Sequence, residues 1–318
     1  MIDNAAMPDL KLGNIEEAAG VIDPVFLDSP QFEDEQLCAA LGRRIVVKVE
    51  TANPIRSFKG RGADYLFRKL DPKKKVICAS AGNFGQAVAY VGRSRGMAVE
   101  VFVPTDVNPL KVKRMESFGA RVTISGADFD VAKQNARREA AAKSDCAFVE
   151  DGEDPAISEG AGTIGRELLR MGEIDTFVIP LGDGALLTGI GAWVKQYSPL
   201  SKIIGVCPAG APAMERSWRA GTVINMGTNT IADGISVGAP VARSLERMRG
   251  LVDDIVLVED AQLLDAMRLA VSTLGIILEP SGAAGLAAIR VHNLPGDRLA
   301  TALTGGNVHP DLLANLFG

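Results

Sequence analysis

Short runs of apolar and β-branched residues alternate along the chain with longer stretches whose apolar side chains recur at helical spacing. The short runs predict buried strands, and the longer stretches predict helices that pack one apolar face against a sheet. Because parallel neighbouring strands need a crossover helix, this alternation indicates an α/β fold with mainly parallel sheets. The predicted strands are Ile45–Val49, Val76–Ala79, Val99–Val103, Arg121–Ile124, Thr176–Ile179, Ile203–Val206, Ile255–Val258 and Ala300–Leu303.

Residues 76–150 form a compact block of four predicted strands with helices between them. Its helices are predicted to start at Phe84, Pro109 and Asp128, and its last strand to cover Ala147–Val149. Turn-forming residues carry the chain into the block at 71–75 and out of it at 151–155. We therefore predict a small domain, 76–150, inserted in a large domain made of 1–75 and 151–318.

The composition is that of an ordinary globular protein, and it narrows the range of partners. The 318 residues include 34 basic and 39 acidic side chains, a formal net charge of −5, and 47% are hydrophobic. Because the basic residues are scattered, we expect no nucleic-acid or membrane partner and predict that small molecules bind instead. No stretch approaches the roughly 18 uninterrupted apolar residues that a membrane helix needs.

The four cysteines lie far apart without a Cys-x-x-Cys pair, and His292 and His309 are the only histidines. A structural zinc site needs clustered ligands, so we expect no bound metal. Free thiols suit a reducing compartment, and Met1–Leu10 lacks the basic segment and apolar core of a secretory signal. We therefore expect a cytoplasmic protein.

Ligands of open α/β sheets bind beyond the carboxyl ends of the strands, so the strand-to-helix turns are where chemistry is expected. The first such turn is Asn53-Pro-Ile-Arg-Ser-Phe-Lys59-Gly-Arg-Gly62. A lysine at the start of a helix lies at the positive end of the helix dipole, which favours the neutral amine that attacks carbonyl groups. Lys59 is a candidate Schiff-base nucleophile, and the alternative is a solvated lysine beside Arg56 and Arg61.

Two further turns offer polar groups to a ligand. Ser80-Ala-Gly-Asn-Phe-Gly85 opens a helix, where exposed N–H groups suit a carboxylate and Asn83 could add its amide, unless the turn is a simple N-cap. Thr304-Gly-Gly-Asn307 ends the last strand, where a hydroxyl could contact a heterocycle nitrogen and paired glycines permit close approach. By itself this second turn could equally be structural.

The turn Pro180-Leu-Gly-Asp-Gly-Ala-Leu-Leu-Thr188-Gly189 has the small residues and following helix of a phosphate site. It is neither a Walker loop nor a complete Gly-x-Gly-x-x-Gly fingerprint, although a nicotinamide site remains a rival interpretation. The Asp183 carboxylate would repel a phosphate dianion. We therefore expect its side chain to turn away and to cap backbone N–H groups.

In combination these turns resemble the fold-type II pyridoxal phosphate enzymes, whose fold is tryptophan synthase β-like. The branch they resemble contains the threonine and serine dehydratases, serine racemase and threonine synthase, and the resemblance covers nearly the whole chain in the same order. It rests on six segments: Ser57-Phe-Lys-Gly-Arg-Gly-Ala63, Ser80-Ala-Gly-Asn83, Gly182–Leu186, Thr230-Ile-Ala-Asp-Gly234, Glu279-Pro-Ser-Gly282 and Thr304-Gly-Gly-Asn307.

The resemblance implies pyridoxal 5′-phosphate as the cofactor, bound between the two domains, and a homodimer. Lys59 would hold the cofactor covalently with Phe58 against its ring. Asn83 would contact its phenolic oxygen and Thr304 its pyridine nitrogen. The remaining contacts implied are Gly182, Asp183, Gly184, Ala185 and Leu186 for the phosphate, and Ser80, Ala81, Gly82 and Asn83 for the substrate carboxylate.

The activity implied is that of an ammonia-lyase, which converts a hydroxy amino acid such as threonine or serine into a 2-oxo acid and ammonia. Lys59 would act as general base at Cα, with the cofactor ring as electron sink. A β-replacement enzyme or a threonine synthase is the nearest alternative, suggested by Asn53-Pro54 and by Gly-Asp-Gly in the phosphate turn. An amino-acid racemase, a nicotinamide oxidoreductase or a non-catalytic amino-acid binder are more distant ones.

Three residues depart from the pattern of this family. Ala81 stands where racemases carry the serine that reprotonates Cα, so we expect poor racemisation. Phe84 replaces the histidine of many dehydratases and leaves the substrate open, while Cys207 replaces the glutamate of cation-activated relatives and argues against dependence on magnesium or calcium. Because the chain ends at Gly318, we also expect no C-terminal regulatory domain and no feedback by isoleucine through one.

Overall fold

Two open sheets organise the protein in the computed structural model, which describes residues 9–105, 107 and 109–317. Every predicted strand is present, and its observed ends differ from the predicted ones by no more than two residues. The strands are β1 (Gln31–Glu33), β2 (Arg44–Val49), β3 (Lys75–Ala79), β4 (Val99–Val103), β5 (Arg121–Ile124), β6 (Cys146–Phe148), β7 (Thr176–Pro180), β8 (Lys202–Pro208), β9 (Asp254–Val258) and β10 (Arg298–Leu303).

The helices fill the connections between parallel strands, as the pattern indicated. In the part of the chain that the structure describes, no helix combines the length and apolarity needed to cross a membrane. The helices are α1 (Leu12–Val21), α2 (Glu35–Leu41), α3 (Lys59–Lys69), α4 (Asn83–Ser94), α5 (Pro109–Ser117), α6 (Phe129–Ala141), α7 (Pro155–Leu168), α8 (Ala185–Tyr197), α9 (Ala213–Ala220), α10 (Ala242–Met248), α11 (Asp260–Leu274), α12 (Pro280–Val291) and α13 (Pro310–Phe317), with short 3₁₀ turns at Pro24–Phe26, Leu169–Met171 and Asp233–Ile235.

The larger sheet has the order β1-β2-β10-β7-β8-β9, and only β1 is antiparallel to its neighbour. Strand β10 therefore lies between β2 and β7, with Leu303 paired with Val49 at the carboxyl end. Because parallel strands end at the same edge, the turns that follow β2, β10 and β7 meet there. These are the turns that begin the Lys59 helix, contain Thr304 and carry the expected phosphate loop.

The smaller sheet has the order β5-β4-β3-β6 and is parallel throughout. Its four strands and the helices α4 to α6 come from the block of residues predicted to form a compact unit. Helix α6 starts where the sequence predicted, because the Asp128 carboxylate accepts a hydrogen bond from Val131 N at 2.9 Å. The turn after β3 carries Ser80, and the turn after β6 carries Asp151.

A buried ionic cluster anchors α3 to the larger sheet. Arg61 is fully buried; its Nε and Nη2 donate to the Glu50 carboxylate at 2.9 and 2.8 Å, and its Nη1 donates to Glu167 at 2.6 Å. Lys48 forms an ion pair with the same Glu167. Burial alone would raise the pKa of Glu167, but the hydrogen bond and charge of Arg61, together with the charge of Lys48, lower it to about 2.

Helices α7 and α8 pack closely because glycines face each other where they cross. A Cβ atom at Gly189 would lie 2.0 Å from the Ser158 carbonyl oxygen, and one at Gly162 would lie 2.9 Å from the Gly189 oxygen. No side chain larger than hydrogen fits at Gly189 without displacing backbone. This contact fixes α8, and with it the phosphate turn, against the core.

Candidate active site

The Lys59 turn is bonded to the Thr304 turn by backbone hydrogen bonds. Phe58 N–H donates to the Thr304 carbonyl at 3.1 Å, and Gly306 N–H donates to the Arg56 carbonyl at 3.0 Å. Ser57 and Gly305 complete an antiparallel bridge between the two segments. Lys59, the first residue of α3, is therefore held beside Thr304 by local backbone pairing that both turns share.

Lys59 lies in a nearly closed setting rather than in bulk solvent. Its side chain is 14% exposed, and its Nζ forms an ion pair with Asp151 Oδ2. The same Nζ lies 4.7 Å from the centroid of the Phe58 ring. The solvated-lysine alternative is therefore wrong, since the amine is directed inward and paired with a carboxylate.

The phosphate turn presents unpaired donors at the start of α8. Gly184 has a φ of +94°, which favours glycine, and no side chain caps the helix. The N–H groups of Ala185, Leu186 and Leu187 donate to none of the described residues, although all three residues are buried. Buried N–H groups require an acceptor, so this helix start fits a phosphate group.

Asp183 lies half-buried in this turn. Ser244 Oγ donates to its backbone oxygen, whereas its carboxylate accepts no backbone hydrogen bond from the described residues, contrary to the expected cap. Burial raises the pKa of Asp183 to about 6, and the negative charge of Asp151 acts in the same direction. With this pKa the carboxyl group is neutral up to a higher pH than an ordinary aspartate, and below about pH 6 it repels a phosphate less.

The Ser80 turn combines the two interpretations that the sequence left open. Ser80 Oγ accepts hydrogen bonds from Gly82 N at 3.2 Å and Gly85 N at 3.0 Å, so the serine does cap α4. The N–H groups of Asn83 and Phe84 have no acceptor among the residues described. They remain free to bind a carboxylate at the positive end of this twelve-residue helix.

Asn83 is positioned by contacts to two other motifs. Its Nδ2 donates to Glu279 Oε1 at 2.6 Å, and its Oδ1 accepts from Asn307 Nδ2 at 2.7 Å. Burial, and after it the negative charge of Asp233, raise the pKa of Glu279 to about 7. The sequence marked Glu279 as part of a motif without a role, yet it links α4 to the turn after β10.

Two buried hydroxyl groups accompany the Thr304 turn. Thr304 is 4% exposed, and its Oγ1 makes only a long 3.5 Å contact to the Ser281 carbonyl. Ser281 Oγ is buried with no partner in the described part of the chain. Hydroxyl groups with spare bonding capacity fit a ligand heteroatom such as a pyridine nitrogen.

A cavity of about 330 Å³ is lined by Ala81, Glu279 and Asn307, whereas Lys59 and Thr304 are not among its lining residues. Lys111 of α5 and Asp233 of the 3₁₀ turn Asp233–Ile235 also line it and form an ion pair with each other. The positions of Lys111, Asp233 and Asp151 at this site were not predicted from the sequence. Only the inclusion of Asp233 in a recognisable segment, Thr230–Gly234, was a signal for one of them.

An inward lysine, a helix start with free N–H groups and buried hydroxyl groups are the groups that suit a phosphorylated carbonyl cofactor. Residues 23–305 match the family described as pyridoxal-phosphate dependent enzymes. The chain belongs to this family, and its cofactor is pyridoxal phosphate. This finding confirms the resemblance seen in the sequence and replaces the nicotinamide alternative.

Known relatives agree with this assignment. The chain is 30% identical to an L-threonine ammonia-lyase of Thermotoga maritima over 314 residues, 97% of this chain and 78% of that enzyme. It is 32% identical to the biosynthetic L-threonine dehydratase of Pasteurella multocida over 290 residues, 88% of this chain but only 56% of that enzyme. The structure of the processed form of threonine deaminase isoform 2 from Solanum lycopersicum superposes with a TM-score of 0.88 at 28% identity, covering 96% of this chain and 92% of that one.

Proposed function

We propose that the protein is a pyridoxal phosphate-dependent ammonia-lyase that converts a hydroxy amino acid, threonine or serine, into a 2-oxo acid and ammonia. The observation that carries the proposal is the inward position of Lys59, together with the free N–H groups at the starts of α8 and α4, which suit a phosphate and a carboxylate. The names of the similar enzymes support the same reaction.

In this proposal the cofactor contacts are those that the resemblance implied. Lys59 would hold the cofactor covalently with Phe58 beside it, and the turn from Gly182 to Leu186 would hold its phosphate. Thr304 would contact the pyridine nitrogen, and Asn83 would use its remaining amide hydrogen for the phenolic oxygen. The free N–H groups at the start of α4 support the assignment of Ser80–Asn83 to the substrate carboxylate.

Lys59 Nζ is the general base that removes the Cα proton of the substrate. Pyridoxal phosphate, when bound, supplies the electron sink for the electron pair left at Cα. The N–H groups of Asn83 and Phe84 hold the substrate carboxylate, and the surrounding buried side chains exclude water from the amine. Loss of the β-hydroxyl followed by addition of water gives the 2-oxo acid and ammonia as net products.

Ala81 favours elimination over racemisation. It lines the cavity at the start of α4 and carries no hydroxyl group. A racemase must deliver a proton to Cα from the face opposite the lysine, and a methyl side chain has none to give. We therefore propose that racemisation is at most a minor activity.

We also propose the domain division inferred from the sequence, with residues 76–150 as a small domain and 1–75 with 151–318 as the large one. The separate four-stranded sheet built from β3 to β6 supports it. A homodimer and a cytoplasmic location remain predictions from the resemblance and the cysteine content.

The direct test is a steady-state assay of cofactor-loaded protein with L-threonine and L-serine, and with their D-enantiomers. We expect 2-oxo acid and ammonia in equal amounts without a second substrate. Lys59→Ala should lose both the turnover and the visible absorption of the bound cofactor, whereas Lys69→Ala, at the other end of α3, should keep both. A requirement for an added nucleophile or for phosphohomoserine would replace this proposal with a β-replacement or threonine synthase activity.

A further inference from the structure

A carboxylate that belongs to none of the recognised motifs contacts the reactive amine. Asp151 follows β6 of the smaller sheet. Its Oδ2 forms an ion pair with Nζ of Lys59, the first residue of α3, which follows β2 of the larger sheet. The Asp151 side chain is 13% exposed, and its Oδ1 is buried with no partner among the described residues. The contact thus joins two residues 92 positions apart in a nearly closed environment.

The segment that carries Asp151 is held in place from α10. The Gly152 carbonyl accepts from Ser244 Oγ at 3.1 Å and from Arg247 Nη1 at 2.8 Å, and the Glu153 carbonyl accepts from Arg247 Nη2 at 2.6 Å. Arg247 is buried. Three hydrogen bonds to two consecutive carbonyl groups fix the backbone next to Asp151, so its position does not depend on the ion pair alone.

Gly152 permits the close approach of this segment to the phosphate turn. Its φ of +83° favours glycine, and a Cβ atom there would lie 3.0 Å from the Asp183 Cβ. The preceding carboxylate has a different environment, since Glu150 forms ion pairs with Lys133 and Arg137 of α6. Of two adjacent acidic residues, only Asp151 pairs with the lysine.

We propose that Asp151 is the counter-ion that stabilises the ammonium form of Lys59 and so sets the pH range over which this amine bonds to the cofactor. The inference rests on the proposed role of Lys59 and deepens it. Attachment requires the ammonium to lose one proton to solvent. The freed electron pair of Nζ then bonds to the carbonyl carbon of the cofactor, and the carbonyl oxygen leaves as water with the two remaining amine hydrogens.

The charges that act on this amine come from three elements. Asp151 contacts it directly, and the Asp183 carboxyl group lies in the neighbouring phosphate turn. Lys133 of α6 and Glu150, just after β6, act electrostatically on Asp183, as do Asp151 and Lys59. An opposite charge in contact favours the ionised form and displaces a titration by about 1–3 pH units. Without the Asp151 charge, burial favours the neutral amine.

The same contact would also act during the proposed proton transfer. A carboxylate that stabilises the ammonium also stabilises the state in which Nζ has accepted the Cα proton. Because the ammonium must lose a proton before the cofactor can attach, the same stabilisation makes attachment harder at low pH. Asp151 therefore acts on the chemistry through the nitrogen that it touches, not through substrate.

The test is the pH dependence of cofactor attachment to cofactor-free protein. Pyridoxal phosphate is added at a series of pH values, the adduct is reduced with borohydride, and the labelled fraction of the Lys59 peptide is measured by mass spectrometry. We expect Asp151→Asn to shift the midpoint of labelling to lower pH by about one unit or more, in line with the loss of a contacting charge. Asp151→Glu should restore the midpoint to within about half a unit of the wild type.

Glu150→Gln is the matched control, because it removes the same charge one residue away where α6 supplies the partners. Its midpoint should move much less than that of Asp151→Asn, because Glu150 does not contact the amine and is paired with Lys133 and Arg137. An unchanged or higher midpoint for Asp151→Asn, with labelling still at Lys59, overturns the inference alone. Absence of Lys59 labelling in the wild type overturns the proposed function instead. If Asp151→Asn does not fold, Asp151→Ser takes its place and must show the same shift.

Discussion

Replacing one buried carboxylate by its amide tests whether the ionic cluster beneath the active site stabilises the fold. Glu167 lies in the last turn of α7, and its side chain, 4% exposed, lies between Arg61 and Lys48. Glu167→Gln keeps the shape of the side chain and removes its charge. The two cations would then remain buried with Glu50 as the single carboxylate of this cluster.

The expected loss of folding free energy follows from the pKa of Glu167. A fall from the ordinary value of 4.5 to about 2 means that folding favours the ionised form by about 3 kcal/mol. This agrees with the roughly 3–5 kcal/mol that breaking a buried ion pair costs. With an unfolding entropy of about 2.1 cal/mol/K per residue, the melting temperature should drop by about 4–5 °C.

The pH dependence has a definite sign. Because the pKa is lowered in the folded state, the stabilisation is complete above 4.5 and disappears as the pH falls toward 2. Thermal unfolding followed by circular dichroism at pH 7 and pH 3.5 should therefore show a smaller difference between wild type and variant in acid. The control is Glu16→Gln, which breaks the exposed ion pair between Glu16 of α1 and Arg166, the neighbour of Glu167 on α7. It should change the melting temperature by less than about 1 °C. A Glu167→Gln variant that melts like the wild type at pH 7, or differs more in acid, would refute the reasoning.

Three other substitutions test separate parts of the structure. Gly189→Ala should lower the melting temperature by several degrees in a fluorimetric scan, because its Cβ would meet the Ser158 oxygen at 2.0 Å, whereas at Gly191 the nearest atom is 3.4 Å away and alanine should be tolerated. Asp183→Asn should tighten pyridoxal phosphate binding above pH 6, where the wild-type carboxylate, its pKa raised to about 6 by burial, repels phosphate; an equal gain at pH 5 in a fluorescence titration would contradict this. Burial raises the pKa of Glu279 in the folded state, so the wild type should lose stability as the pH rises from 4.5 through about 7, and Glu279→Gln should not. Melting temperatures of both proteins at pH 5 and pH 8 test this, and an equal change with pH in the two proteins would count against it.

The strands and helix starts could be predicted because each depends on residues close together in sequence. An apolar run such as Val99–Val103 is buried along its whole length, and Asp128 caps α6 three residues ahead of its partner. Strand β1 was not predicted, because it lacks such an apolar run. Its three residues are only half-buried, and it pairs with β2 at the edge of the sheet. Local pattern carries no information about such an edge strand.

The individual turns of the site could also be predicted, but their contacts could not. The glycine at position 184 and the lysine at position 59 stand in segments whose chemistry is visible in the sequence. The Lys59–Asp151 pair and the bond from Ser244 to Gly152 each join residues 92 positions apart, and the sequence marked 151–155 only as a connection between domains. Which carboxylate meets the lysine is decided by tertiary packing, because Glu150 would have fitted the sequence equally well.

Strand order explains why segments so distant along the chain act as one site. β10 is the last strand in sequence, yet it lies between β2 and β7, so the Lys59, Thr304 and phosphate turns become neighbours at one edge. The smaller sheet adds the Ser80 turn after β3 and Asp151 after β6. Among their contacts with residues of the larger sheet's connections are Asn83 to Glu279 and Asp151 to Lys59. Both contacts cross between the sheets, so any change in the spacing of the sheets would move the Ser80 turn and the Asp151 carboxylate together. The two proposed roles, carboxylate binding at the start of α4 and pairing with Lys59, therefore depend on the same placement of the smaller sheet.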